Sequence, residues 1–247
     1  MPYADYQTRL KEPVAERLER LNGELRDASA TTILRASLVR EWEDKITYVS
    51  SFGAESAVML ALIADVDPSF PVIFLETGMH FPQTLDYKEE LVEKLGLTNV
   101  REIPPSETER KVLDPKNTLW KTDPDACCAM RKVRPLEPAL EGFDAWITGR
   151  KRFHGGARLN LPAFEFASGR FKVNPLANWT QEDVDRFFAA RNLPRHPLVD
   201  MGYPSIGCWP CTKPASDPND IRSGRWSGMD KTECGLHVAK AERPRVF

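Results

Sequence analysis

From residue 45 onward, apolar runs of two different periods take turns. "KITYVS" (45–50) is a β-branched apolar run that stops at the turn-prone "SFGAES", and "SAVMLALIADV" (56–66) resumes with helical character. "PVIFLET" (71–77) reads as a second buried strand and 82–96 as a helix closed by Gly96. "NVREIP" (99–104) reads as a third strand and "DAWITGR" (144–150) as a fourth. Upstream, residues 13–43 carry one or two amphipathic helices ("VAERLERLNGEL", then "TTILRASLVREWE"). This rhythm predicts an α/β fold: an open, mostly parallel twisted sheet with helices on both faces. Such sheets bind ligands beyond the carboxyl ends of their strands, which singles out three loops: Ser50–Ser56, Glu76–His80 and Gly149–Arg158.

Near residue 204 the texture changes. "YPSIGCWPCTKPASDPNDIRSGRWSGMDKTECGLH" is rich in Pro, Gly, Ser and Asp and nearly aperiodic. It predicts an extended segment draped over the domain and mobile at its end. The chain thus divides into an N-terminal helical segment (1–44), an α/β domain (45–203) and a cysteine-bearing C-terminal segment (204–247).

Charge removes several function classes. Charged residues make up 28% of the chain and the formal net charge is −2, so neither nucleic acid nor a membrane surface is an expected partner. No apolar run approaches the roughly 18 residues of a membrane span, and the first residues are too polar for a secretory signal. Five cysteines, an odd number, argue against a disulfide framework and for reduced thiols, with the cytoplasm as the expected location.

The cysteines are the candidate chemistry. Cys127 and Cys128 are adjacent, and neighbouring Cα atoms about 3.8 Å apart do not suit a relaxed disulfide. Cys208 and Cys211 form a CxxC. Two four-ligand sites can be drawn. One is a zinc site of Cys208, Cys211, Cys234 and His237; the other joins Cys127, Cys128, Cys208 and Cys211 as four thiolates for an iron–sulfur cluster or zinc. Only the second explains the cysteine pair. Asp123 or Asp125 can cap a helix through about Val133, placing both thiols in its first turn, where amide dipoles favour thiolate. Arg131 and Lys132 follow Cys127 and Cys128 by four residues, so each cation shares a face with a sulfur and offsets cluster charge. The bland alternative makes the pair small core residues and the cations a solvated face. Cys234, left over in "KTECGLH", is placed for nucleophilic attack rather than for packing.

The loops suit a small polyanion. "SFGAES" offers Ser50, Ser51 and Ser56 as hydroxyl donors beside a helix N-terminus, with Gly53 allowing close approach. Thr77 and Gly78 lie in the next loop, and Gly149 begins a third that carries Arg150, Lys151, Arg152 and Arg158. Arg222 and Arg225 add cations near Cys234.

Taken together, "CC" with "RK" following, the CxxC at 208–211 and the terminal "ECGLH" resemble the assimilatory adenylyl-sulfate reductases, relatives of the phosphoadenylyl-sulfate reductases. The resemblance runs from about Ile46 to His237. It implies an adenine nucleotide alpha-hydrolase-like, Rossmann-like fold with the nucleotide across the strand ends. It implies a 4Fe–4S cluster on Cys127, Cys128, Cys208 and Cys211, Lys132 between cluster and substrate, and Cys234 as nucleophile. Arg222 and Arg225 match the tail arginines that hold phosphate and sulfate, and His237 closes the nucleophile motif. The implied reaction is thioredoxin- or glutaredoxin-dependent reduction of adenylyl sulfate to sulfite and AMP through a cysteine S-sulfonate. Four cluster cysteines favour adenylyl sulfate over its 3′-phosphorylated form. The rivals are a phosphoadenylyl-sulfate or dual-substrate reductase, an iron–sulfur thiolase of tRNA bases and a zinc-stabilised binding module. A homo-oligomer is compatible with the sequence. One stretch departs from the family pattern: Lys151-Arg152-Phe153-His154 stands where many relatives carry an Arg-Arg-Asp-Gln-like run.

Overall fold

The computed structural model describes residues 12–217, 219–229 and 231–237. The expected mobile chain end falls on residues 238–247, outside the described residues.

Four parallel strands appear where the apolar runs predict them: β1 (Ile46–Ser50), β2 (Val72–Leu75), β3 (Val100–Ile103) and β4 (Ala145–Ile147). A hairpin that the strand–helix rhythm does not announce adds β5 (Phe164–Ala167) and β6 (Arg170–Val173). The sheet has six strands in the order β3-β2-β1-β4-β6-β5, and only the β5–β6 pairing is antiparallel. Mostly parallel is therefore right, with an antiparallel edge.

Alternation along the strands divides the apolar residues between two faces. Ile46, Tyr48, Val72, Phe74, Ala145, Ile147, Phe171 and Val173 point into the larger core. That core is covered by α1 (Val14–Glu24), α2 (Ala30–Arg35), α3 (Ser56–Ala64), α4 (Pro82–Leu95) and, after the hairpin, residues Gln181–Ala190. Ile73, Leu75 and Trp146 point the other way, onto Leu136 and Leu140. Helix α3 is buried nearly all round, so its amphipathic signal vanishes while its helicity stays. Gly96 closes α4 with a φ of 63°, the left-handed cap expected of it.

Strand order 3-2-1-4 makes the crevice between β1 and β4 the topological switch point. The loops after β1, β2 and β4 meet there. The segment from residue 204 closes over them as an extended strap: Ile206 packs with Ala54 and Leu198. Trp209 N–H donates to the Met79 carbonyl at 2.8 Å, and Trp226 N–H to the Cys211 carbonyl at 3.0 Å. Among the described residues no helix is long and apolar enough to cross a membrane.

Candidate active site

The loop after β1 is held by its own serine. Ser50 Oγ accepts the Phe52 N–H at 3.2 Å, and Phe52, in the left-handed region at φ 47°, buries its ring edge-on against Phe74. Gly53 lets the strap come close: a Cβ there would stand 3.1 Å from the Ile206 carbonyl oxygen, so the strap would have to shift by a few tenths of an ångström. The start of α3 has no side-chain cap: Ser56 N–H donates to the Gly53 carbonyl at 3.0 Å and Val58 N–H to the Glu55 carbonyl at 3.3 Å, and the positive end of the helix faces the cleft beside the Ser51 and Ser56 hydroxyls.

The cleft so formed encloses about 1190 Å³ of space, part of it open to solvent. Ser50, Ser51, Gly53, Ser56, Gly149 and Arg150, from the loops after β1 and β4, line it. Lys132 and, from the strap, Arg222, Arg225, Cys234 and His237 line it too. Three expected members are elsewhere. Thr77 is buried behind the cleft, its hydroxyl 3.5 Å from Cys208 Sγ, and Gly78 lies under the Arg131 guanidinium. Arg152 is exposed and donates to the Leu161 carbonyl at 2.7 Å, so it points away from the site.

A second, smaller cavity adjoins the first, and all five cysteines line it: Cys127, Cys128, Cys208, Cys211 and Cys234. Cys127 and Cys128 end a short helix, α7 (Pro124–Cys128), which follows α5 (Glu107–Leu113) and α6 (Leu119–Thr122). Asp123 caps α7 by accepting the Ala126 N–H at 2.8 Å. The helix continues as a π-turn, Ala129–Val133, before α8 (Arg134–Ala139). The cause is Pro135. It has no N–H for the Arg131 carbonyl, so the chain widens and Arg134 N–H reaches back to Ala129.

Two expectations for this helix need correction. With Asp123 as cap, Cys127 ends the first turn and Cys128 lies one residue past it, and burial outweighs Arg131 in pushing the Cys127 thiol up to about 11. Arg131 does not face the sulfurs as a free charge either. It is buried, pairs with Asp114 at 2.7 Å and donates to the Thr77 carbonyl at 2.6 Å. Lys132 takes the electrostatic role. Burial alone would lower its pKa, but Cys208, Cys234 and Cys128 hold it above the ordinary value. Lys132, Arg225, Trp226 and Cys234 line both cavities and so lie between them.

Cys234 brings its sulfur to 3.7 Å from that of Cys128. The Cys128 hydrogen bond, then Lys132 and the Leu236 amide, hold the Cys234 thiol well below its ordinary pKa against the opposing effect of burial. Arg225 packs over Trp226, its carbon 4.4 Å from the ring centre, and leaves its buried Nε unpartnered. Gly207 makes room for it: a Cβ there would lie 2.4 Å from an Arg225 nitrogen. His237 stacks on Trp146 at 5.8 Å with planes 9° apart and faces the cleft, not the cysteine cavity. The zinc set of Cys208, Cys211, Cys234 and His237 is therefore not assembled. Indeed, among the described residues no three of His, Cys, Asp and Glu converge closely enough to hold a single metal ion. A tetrahedral zinc with bonds of about 2.3 Å would need sulfurs about 3.8 Å apart.

Residues not singled out by the sequence complete the site, carboxylates chief among them. Glu55 accepts from Lys151 at 2.8 Å and from His154 at 3.0 Å. Glu233 accepts both ends of Arg158, at 2.7 and 2.9 Å, Arg222 at 3.3 Å and the Cys234 amide at 2.8 Å. Burial would raise both carboxyls; these partners overcome it and bring each down to about 2. His80 donates Nε2–H to the Leu75 carbonyl at 3.0 Å, leaving its buried Nδ1 in the cleft wall as an unused acceptor.

Comparison with known proteins agrees with this geometry. The family model for the phosphoadenosine phosphosulfate reductase domain matches residues 45–214. An adenosine 5'-phosphosulfate reductase of Mesorhizobium japonicum is 48% identical over 210 residues, 85% of this chain and 83% of its own. One from Mycolicibacterium smegmatis is 41% identical over 95% of this chain and 99% of its own. Among solved structures, the phosphate complex of a phosphoadenylyl-sulfate reductase from Candida auris superposes with a TM-score of 0.70 at 28% identity, covering 82% of this chain and 98% of that one. An ATP complex of Candida glabrata FMN adenylyltransferase shares the fold alone, with a TM-score of 0.55 at 15% identity over 87% of this chain and 71% of its own. With a basic cleft at the switch point and a match over most of its length, the chain belongs to the phosphoadenosine phosphosulfate reductase family.

Proposed function

We propose that the protein reduces adenylyl sulfate to sulfite and AMP, with thioredoxin or glutaredoxin as the source of electrons. The observation that carries this reading is the position of Cys234, which lines both the basic cleft and the cysteine cavity beside Lys132 and Arg225. Thiolate attack on a sulfate ester needs an activated thiol and fixed cations for the oxygens, and this wall supplies both beside a cleft that suits the anion.

In the reading, the nucleotide phosphate lies at the start of α3 against Ser50, Ser51 and Ser56, where the helix dipole favours an anion. The Cys234 thiolate attacks the sulfate sulfur. The bond from that sulfur to the bridging oxygen breaks, AMP leaves with the electron pair, and Cys234 carries an S-sulfonate. A thiolate of the reduced partner then attacks Cys234 Sγ, and sulfite leaves with the pair from the S–S bond. The partner's second thiol resolves the mixed disulfide, so the partner is oxidised and the Cys234 thiol returns. Lys132, Arg222 and Arg225 stabilise charge on the oxygens as the bond to AMP lengthens.

Cys127, Cys128, Cys208 and Cys211 would hold a 4Fe–4S cluster. The donor set fits: four sulfurs line one cavity with no carboxylate in its wall, while Lys132, Arg225 and Lys231 beside them supply positive charge. When bound, the cluster ties the 208–211 turn to α7 and sets the local field, without carrying the electrons of the reaction. With Cys128 engaged as a ligand, Lys132 and the Leu236 amide remain to activate Cys234. Free thiols at such a site suit a reducing compartment such as the cytoplasm.

The test is sulfite release from adenylyl sulfate and from its 3′-phosphorylated form, side by side, with reduced thioredoxin. The expected result is a kcat/KM at least about tenfold higher for adenylyl sulfate. Preference for the phosphorylated nucleotide would reassign the substrate, and no sulfite from either would refute the reading.

A further inference from the structure

Along one wall of the cleft an unbroken hydrogen-bonded chain joins the anion-binding loop to the nucleophile. It starts at Lys151, whose ammonium donates to Glu55 Oε2 at 2.8 Å. The same oxygen meets His154 Nε2 at 3.0 Å. Across the ring, His154 Nδ1 stands 3.0 Å from a terminal nitrogen of Arg158. Arg158 holds both oxygens of Glu233 through Nε and its other terminal nitrogen, at 2.7 and 2.9 Å. Glu233 accepts the Cys234 amide N–H at 2.8 Å.

Valence fixes the proton on the imidazole. A guanidinium has donors and no acceptor, so Nδ1 must accept and carries no proton. Nε2 then carries the single ring proton and donates it to Glu55. His154 is neutral and locked in one tautomer, in keeping with burial, which holds its pKa below the ordinary value. The consequence lies in the Arg158 plane. Two of its nitrogens grip Glu233, and the third is held by His154, so the ring fixes the rotation of the fork. Removing the Nδ1 acceptor frees that rotation and loosens Glu233, the residue beside the nucleophile. His154 also belongs to the 151–154 stretch whose sequence departs from the family pattern, and Arg152 of that stretch points away.

We propose that His154 is a positioning residue: it orients Arg158 so that Glu233 holds Cys234 over the cleft, coupling the anion loop to the nucleophile. The kinetic part of this inference rests on the reductase reading; the structural part does not.

The experiment compares His154→Ala, His154→Gln, Glu233→Gln and the double His154→Ala/Glu233→Gln with the unaltered full chain. Amide hydrogen exchange of the peptide containing Cys234, read without nucleotide or reductant, is expected to quicken at least about tenfold in His154→Ala and in Glu233→Gln. In turnover, both should lower kcat at least about tenfold with AMP affinity within about threefold, and the double variant should be no worse than either single. Glutamine offers an acceptor and a donor in place of the two ring nitrogens, so His154→Gln should restore exchange and kcat to within about threefold. Unchanged exchange in folded His154→Ala, no rescue by glutamine, or additive losses in the double variant would overturn the proposal. Should His154→Ala fail to fold, normal exchange in Glu233→Gln overturns it alone. Should the unaltered chain release no sulfite, exchange still decides this point, so the two failures are distinct.

Discussion

Arg131 and Asp114, both buried, close an ion pair at 2.7 Å that ties the π-turn carrying Lys132 to the loop before α6. Arg131 also donates to Asn117 Oδ1 at 3.0 Å, and Asp114 accepts the Thr118 and Leu119 amides at 2.6 and 2.9 Å. Two neighbouring cations therefore do different work. Arg131 is a strut inside the protein, and Lys132 is a charge presented to the sulfurs.

Asp114→Ala should accordingly cost stability, because it leaves a buried guanidinium without its counter-charge. The expected loss is about 3–5 kcal/mol by denaturant unfolding. Lys132→Ala should do the reverse, lowering kcat/KM at least about tenfold, roughly 1.4 kcal/mol of transition-state stabilisation, with stability changed by less than that. Equal effects of the two variants on stability would contradict this division.

The two site carboxylates make closure of the cleft acid-sensitive. Glu55 and Glu233 titrate at about 2 when folded, against about 4.3 in an unfolded chain. A depressed folded pKa contributes stability that is complete above the unfolded value and is lost as pH falls toward the folded one. From about pH 6 to about pH 3 each carboxylate should therefore lose roughly 1–2 kcal/mol of its contribution. Glu55→Gln should remove its share of that slope, read as the pH dependence of the unfolding free energy. A slope unchanged by the substitution would show that Glu55 is not charged in its ion pairs.

Much of this was legible beforehand, and the misses have physical causes. Strands β1, β2 and β4 are buried on both faces, so they read as continuous apolar runs, whereas edge strand β3 is half-exposed and carries Arg101 and Glu102 between its two apolar ends. The hairpin left a signal that went unused: "FEFASGRFKV" alternates about a two-residue turn, with Ser168 and Gly169 at φ 57° and 77°. So did the helix Gln181–Ala190, whose Thr180 and Asp183 form a capping box. The cysteines of the site were readable because their types and spacing are rare. The partners of the arginines were not. Arg158 and Glu233 are 75 residues apart and meet only because the strap returns across the cleft. Nor does spacing tell which of two adjacent cations turns inward; Arg131 does because Asp114 awaits it there.

Replacing Cys127, Cys128, Cys208 or Cys211 by serine should bleach the purified protein and lower its iron and acid-labile sulfide, since a hard oxygen replaces a soft thiolate. Stability should fall as well, because the 208–211 turn loses its tie to α7. Full iron and sulfide in Cys127→Ser would reject that residue as a ligand.

Cys234 should behave differently from the other four. It shares their cavity but also lines the cleft, so Cys234→Ser should keep iron, colour and nucleotide affinity while abolishing sulfite release. In the unaltered chain, adenylyl sulfate without reductant should leave a mass increment of about 80 Da, one added SO₃, on the peptide containing Cys234. Reduced thioredoxin should remove it with release of one equivalent of sulfite. A zinc-ligand role makes the opposite forecast, in which Cys234→Ser loses metal and fold together. Mass spectrometry separates these outcomes residue by residue. An increment mapped to Cys208 or Cys211 would move the nucleophile, and a metal-depleted Cys234→Ser protein would return Cys234 to the ligand set.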